Sequence, residues 1–93
     1  ARVIASVGDP TKAELCRSLG AELVLDHHAP DFPKQVLAAT GGRGADVIFD
    51  PVGGDLFTKA TQCIAGEGRL LAIGFASGRW GQADTAHVVM HNY

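Results

Sequence analysis

The chain has 93 residues and a mass of 9.7 kDa, whereas a comfortable single core usually takes roughly 100 to 150 residues, so it reads as one small domain or a piece of a larger one. Hydrophobic residues make up 46% and charged residues 19%, and eight basic against ten acidic side chains, spread without blocks, give a formal charge of −2 with no footprint for nucleic acid or an anionic membrane. No apolar run approaches the roughly 18 residues of a membrane span and no signal-peptide core precedes residue 1, so a cytoplasmic location is expected.

Four β-branched or aliphatic runs recur along the chain: residues 2–7 (RVIASV), 22–26 (ELVLD), 46–50 (DVIFD) and 69–74 (RLLAIG). Their starts are spaced by the length of a strand, a helix and two loops. After the first run, Asp9 is a good N-cap with Pro10 at the first helical position. Ala13, Cys16 and Leu19 then form one stripe, and Gly20 supplies the stop. A second helix is predicted from about Asp31, with Phe32, Val36 and Leu37 at helical spacing, Pro33 tolerated in the first turn, and an end at Thr40-Gly41-Gly42. The third starts at Gly54-Asp55, aligns Leu56, Ala60 and Ile64, and breaks at Gly66. After residue 74 come a loop over residues 75–82 and a short helix from Asp84 to about His91.

This alternation specifies an α/β, three-layer, parallel sheet of four strands with right-handed crossover helices. Continuous apolar runs agree, because parallel strands are buried on both faces. Cys16 and Cys63 have no C-x-x-C partner and read as reduced core thiols. Both chain ends look cut: the first residues already follow a strand pattern without an initiating Met.

In open parallel sheets ligands bind beyond the carboxyl ends of the strands. The turns to inspect are therefore Ser6-Val7-Gly8-Asp9, Asp26-His27-His28, Asp50-Pro51-Val52-Gly53-Gly54 and Gly74-Phe75-Ala76-Ser77-Gly78. Glycine there lets backbone approach a ligand, although tight turns use it for geometry alone. The phosphate fingerprint G-x-G-x-x-G is absent: Gly42-Arg43-Gly44 and Gly66-Glu67-Gly68 lack the third glycine and precede strands. Asp9 and Lys12 flank the first strand end, where an acid favours a free ribose 2′-hydroxyl and a cation a 2′-phosphate; an N-cap and a solvated lysine are the plainer reading. His27 and His28, partly cationic near neutral pH, attract phosphate or are simply polar loop residues. His87 and His91 stand at i, i+4, a metal-binding spacing, but no third ligand lies near them in sequence and two surface histidines are expected. No nucleophilic triad appears.

The run Thr40-Gly41-Gly42-Arg43-Gly44-Ala45-Asp46-Val47, then Phe49-Asp50-Pro51-Val52-Gly53-Gly54, then Gly68-Arg69-Leu70-Leu71-Ala72-Ile73-Gly74-Phe75-Ala76-Ser77-Gly78, closely resembles the quinone oxidoreductase branch of the zinc-independent medium-chain dehydrogenases/reductases. The resemblance implies that residues 1–93 are part of a Rossmann-like nucleotide-binding domain, without its first strand, phosphate loop and separate substrate domain. It implies a parent enzyme, homo-oligomeric, that passes hydride to a small-molecule quinone, enone or ketone. The implied cofactor is NADP(H), with NAD(H) the alternative. Pro51, Val52, Gly53, Gly74, Phe75 and Ser77 would lie beside the ribose and nicotinamide. Lys12 matches a lysine near the adenosine phosphate, Asp9 stands where serine is frequent, and His27 stands where tyrosine commonly helps hold the phosphate. The isolated chain is expected to be inactive, since no segment present holds a pyrophosphate. The rival reading is a stand-alone α/β nucleotide-binding or protein-interaction module. A receiver-like fold fails because the strand ends lack its acid cluster.

The missing strand would lie between those of residues 2–7 and 46–50 in the sheet order 3-2-1-4-5-6. Either these two close the gap to give 2-1-3-4, or their unpaired apolar edges recruit another chain. Separated, solvent-exposed edges on both would contradict each alternative.

Overall fold

The computed structural model describes residues 1–93 and contains β1 (Ile4–Val7), α1 (Pro10–Ser18), β2 (Leu23–Asp26), α2 (Phe32–Ala39), β3 (Ala45–Asp50), α3 (Gly54–Thr61), β4 (Ile64–Ala72) and α4 (Thr85–His91). The helix starts follow from local chemistry. Asp9 is extended and its Oδ1 accepts from the Thr11 N–H at 2.9 Å and the Thr11 hydroxyl at 2.5 Å, satisfying a donor that α1 leaves open. Asp84 does the same for α4, accepting from the N–H groups of Ala86 and His87. Gly20, at φ 105°, reverses the chain after α1 at little steric cost.

The four strands do form parallel pairs with helical crossovers, but as two separate sheets, β1 with β2 and β3 with β4. β1 and β3 are not hydrogen-bonded to each other, so the closed order 2-1-3-4 is not adopted. The two strand pairs stay apart, β1–β2 and β3–β4, so of the two alternatives only closure of the gap is set aside. On β3 and β4 the alternation leaves Val47, Phe49 and Leu71 on an uncovered face, with Phe49 64% exposed, and Ile73, just beyond β4, is exposed as well.

Two boundaries differ from the sequence reading. The third helix ends at Thr61, and Ile64, placed on that helix by its spacing, instead opens β4 opposite Ala45. β4 begins five residues earlier than the run 69–74. The Gly66-Glu67-Gly68 segment lies inside it as an irregularity, where Asp46 alone spans the interval between the Ala45–Ile64 and Val47–Arg69 pairs. Glu67 takes φ 63°, a conformation that disrupts strand periodicity and hides the early start. The stripe on α1 also fails in part: Ala13 and Cys16 are half-buried, but Leu19 caps the helix and is 78% exposed.

The core is small. Phe32, Val36 and Cys63 form its centre, with Leu25, Leu37, Ala45, Ile48 and Leu56 packed against it. Two side chains reach long-range carbonyls across the chain, Arg2 Nη2 to Ala39 at 3.1 Å and Lys59 Nζ to His27 at 3.0 Å. Glycine is obligatory at Gly44, where φ is 94° and an added Cβ would lie 2.8 Å from the backbone of residues 63–65.

Candidate functional site

The carboxyl ends of β3 and β4 are joined by a network centred on Asp50. This carboxylate is only 4% exposed. Its Oδ1 accepts from the N–H groups of Val52 at 2.9 Å and Gly53 at 3.0 Å, folding residues 50–53 into an Asx-type turn. Its Oδ2 is buried without a partner. The Asp50 carbonyl accepts from Ile73 N–H, and the Pro51 carbonyl accepts from Ala76 N–H at 3.0 Å. The Val52 carbonyl accepts twice from Ser77, from the N–H at 3.0 Å and the hydroxyl at 2.7 Å. Arg79 adds an ion pair to Asp55 at 3.1 Å.

Four of the six residues expected beside ribose and nicotinamide, Pro51, Val52, Gly53 and Ser77, are thus bonded into one seam, and Gly74 lies against Pro51. A Cβ on Gly74 would approach the Pro51 carbonyl to 3.0 Å. Phe75 turns outward and stacks on Trp80 at 4.6 Å between ring centroids. The glycine turn has an answer in this geometry. The space a Gly53 side chain would need is taken by the Arg79 carbonyl, 2.5 Å from an added Cβ, so the close backbone approach is to the chain's own loop. Beside this seam a groove of about 470 Å³ runs between the start of α3 and residues 78–82, lined by Asp55, Thr58, Arg79 and Trp80 among others.

The remaining expected residues, Asp9, Lys12 and His27, lie at the ends of β1 and β2, on the other strand pair. Thr11's hydroxyl and N–H hold the Asp9 carboxyl below its usual range, with Lys12 contributing. His27 and His28 meet edge to face, 4.5 Å between centroids. Both crowd Gly8: an added Cβ there would lie 2.8 Å from His28 Nε2 and 3.1 Å from His27 Nε2. His27 Nδ1 is buried and unpartnered. Burial, and then the neighbouring His28, hold the His27 imidazole below its ordinary pKa. Lys59, on α3, reaches the His27 carbonyl and ties this corner to the second strand pair.

Sequence reasoning passed over Lys59 and Trp80, and kept Asp50 and His28 only as members of turns to inspect. The D-P-V-G pattern carries an Asx-turn signal that identifies Asp50, whereas nothing local marks Lys59, whose partner is 32 residues away. Elsewhere, Cys63 is buried and burial raises its thiol to about 11. Cys16 is only half-buried, so one of the two expected core thiols lies outside the core. His87 and His91 stack at 4.0 Å, with His87 Nδ1 at 2.8 Å from the Tyr93 hydroxyl. Nowhere do three His, Cys, Asp or Glu side chains gather as a metal site would require. No helix is long and apolar enough to cross a membrane.

A family model described as "Zinc-binding dehydrogenase" matches residues 1–93. A 2-haloacrylate reductase from Burkholderia is 38% identical over 89 residues, covering 96% of this chain and 26% of that protein. A quinone oxidoreductase from Pseudomonas aeruginosa is 35% identical over 77 residues, covering 83% of this chain and 24% of that protein. The crystal structure of Escherichia coli quinone oxidoreductase complexed with NADPH superposes with a TM-score of 0.87 at 25% identity, over 99% of this chain and 28% of that one. The chain therefore spans about a quarter of the length of these relatives. The zinc of the family's description finds no ligand set among these residues.

Proposed function

The chain belongs to the zinc-binding dehydrogenase family, and from that membership we propose that residues 1–93 are part of the nucleotide-binding domain of an NADPH-dependent oxidoreductase, homo-oligomeric, that reduces a quinone or an activated alkene or ketone without zinc. The observation that carries the reading is the seam at the carboxyl ends of β3 and β4, which lies where open parallel sheets receive ligands. When bound, NADPH supplies the hydride. The chain's own residues supply position. Asp50 fixes the 51–53 turn through two N–H groups, Ser77 locks the 75–82 loop to that turn, and the pair stands as one wall of the cleft. Phe75 and Trp80 add an exposed apolar shoulder beside it. At the other end, Lys12 and His27 face the adenosine phosphate.

The G-x-G-x-x-G turn that would cradle a pyrophosphate is not among these residues, so the chain alone binds weakly and turns nothing over. Titration of the chain with NADPH and with NADH, followed by nicotinamide fluorescence, tests this. Weak binding that favours NADPH, with no quinone reduction, is expected; tight binding or turnover by the chain alone overturns it. The rival of a protein-interaction module draws on the uncovered Val47, Phe49 and Leu71 face. A chain that ignores both nucleotides but self-associates in sedimentation would favour that rival.

A further inference from the structure

Trp80, the one tryptophan of the chain, stands 57% exposed on the loop of residues 75–82. Single exposed aromatics are ordinary on protein surfaces. This one is held in the open by a loop that is fixed at several points. The Ser77 hydroxyl lies 2.7 Å from the Val52 carbonyl and 3.1 Å from the Arg79 carbonyl, and Arg79 Nη2 pairs with Asp55 at 3.1 Å. Gly81 sits so close to α3 that an added Cβ would run into the Phe57 ring. Phe75 backs the indole, 4.6 Å away between centroids. A ring held this way has little freedom left to lose when a ligand settles on it.

Trp80 also lines the groove of about 470 Å³ between the start of α3 and residues 78–82, where its neighbours are Asp55, Thr58, Arg79, Gln82 and three glycines. Arg79 has guanidinium N–H groups beyond the one bonded to Asp55, Gln82 brings an amide NH₂ and Thr58 a hydroxyl. The Asp55–Arg79 pair cancels the charge of the groove, which disfavours an ionic ligand. One aromatic plane, a rim of donors and no net charge suit a neutral, flat molecule with carbonyl oxygens on its edge.

We propose that Trp80 is a specificity-determining residue, its indole forming with Arg79 and Gln82 a platform that selects a planar, neutral quinone over a non-aromatic enone or ketone. The inference rests on the oxidoreductase reading and narrows its substrate class. An electron-poor quinone ring stacks on the electron-rich face of the indole, while its carbonyl oxygens accept from the donors at the rim. Enones and ketones share the carbonyl and lack the aromatic plane. The groove begins at Gly54, the residue that follows the Asp50 turn, so a ring on Trp80 lies next to the wall assigned to the nicotinamide ribose.

The test is an NMR titration of the full chain that follows the backbone amides and the Trp80 indole N–H. The ligand is 2,3-dimethyl-1,4-naphthoquinone, whose methylated alkene carbons do not take up a thiol, with 3-methylcyclohex-2-enone and adenosine as companions. The expected result is saturable movement of the indole signal and of the amides of residues 54–58 and 78–82, with the quinone bound about fivefold tighter than the enone, the scale of one aromatic stack. Trp80→Ala should bring that ratio close to one while the amides of β1 and β2 stay in place, and Trp80→Phe should restore most of it. A ratio near one in the unaltered chain overturns the inference, as does a ratio that survives in Trp80→Ala. So does adenosine bound as tightly as the quinone, or quinone-induced movement confined to the exposed side chains of β3 and β4. An NADPH fluorescence change without a quinone response overturns this inference and spares the NADP(H) reading; a quinone response as described without nucleotide binding supports the platform and overturns the NADP(H) reading.

Discussion

Residues 1–31 and residues 32–68 are built from the same strand, helix and strand alphabet, yet they are held together differently. Every fully buried residue, twelve in all, lies between Phe32 and Gly68, so β1, α1 and β2 are shaped by caps and turns while α2, β3 and α3 are shaped by packing. In the first region the stabilising contacts are exposed: Asp9 on Thr11, Arg2 on Glu22 at 2.6 Å, Ser18 on the Leu15 carbonyl. In the second they are Phe32 against Val36 and Cys63, and Asp50 folded under its turn. Exposed polar contacts are each worth little, whereas burial of a large side chain is worth kilocalories. The same pattern in sequence therefore marks two regions of unequal stability.

The sharpest separation is expected from the two thiols. Cys63 is buried and raised to about 11, leaving about one thiolate per thousand at pH 8, so iodoacetamide should label the half-buried Cys16 more than about a hundredfold faster. Peptide mass mapping of a time course checks this, and equal rates would erase the contrast. Next in size, Phe57→Ala should cost about 3 to 5 kcal/mol, while Leu19→Ala, at a side chain 78% exposed, should stay within about 0.5 kcal/mol in urea denaturation. Ser77→Ala removes one hydroxyl from the seam and should cost about 1 kcal/mol. Its signature is faster amide exchange at residues 76–79, with the β1 and β2 amides unchanged. The smallest effect belongs to Asp9. Its folded pKa lies below 3.8, so its contribution to α1 is complete above that value and is lost as pH falls through the folded one. Acidification across that window should loosen the α1 amides before those of α3, and Asp9→Asn should remove the difference.

How much of this was readable beforehand depends on the range of each interaction. Caps and stops act within one helical turn, and Asp9, Pro10, Gly20 and Asp84 marked α1 and α4 to within a residue. The crossover alternation and the parallel pairing followed from strand spacing. Ile64 was misplaced because its spacing from Leu56 and Ala60 fits a helix equally well, and Glu67 at positive φ conceals the strand it belongs to. The positions of the turns at 51–54 and 74–78 were legible, but their bonding to each other was not, since Ser77 and Val52 are 25 residues apart. The gap between β1 and β3 was foreseen from the family resemblance, but whether the two edges close across it was not. Pairing of β1 with β3 is a question of which edge is nearer, and no residue on either strand encodes it.

The Val52 peptide is fully committed within the chain. Its carbonyl already accepts two bonds and its N–H already serves Asp50. The Val52 peptide therefore offers no free hydrogen-bonding group at this wall, and what it presents to its surroundings is shape alone.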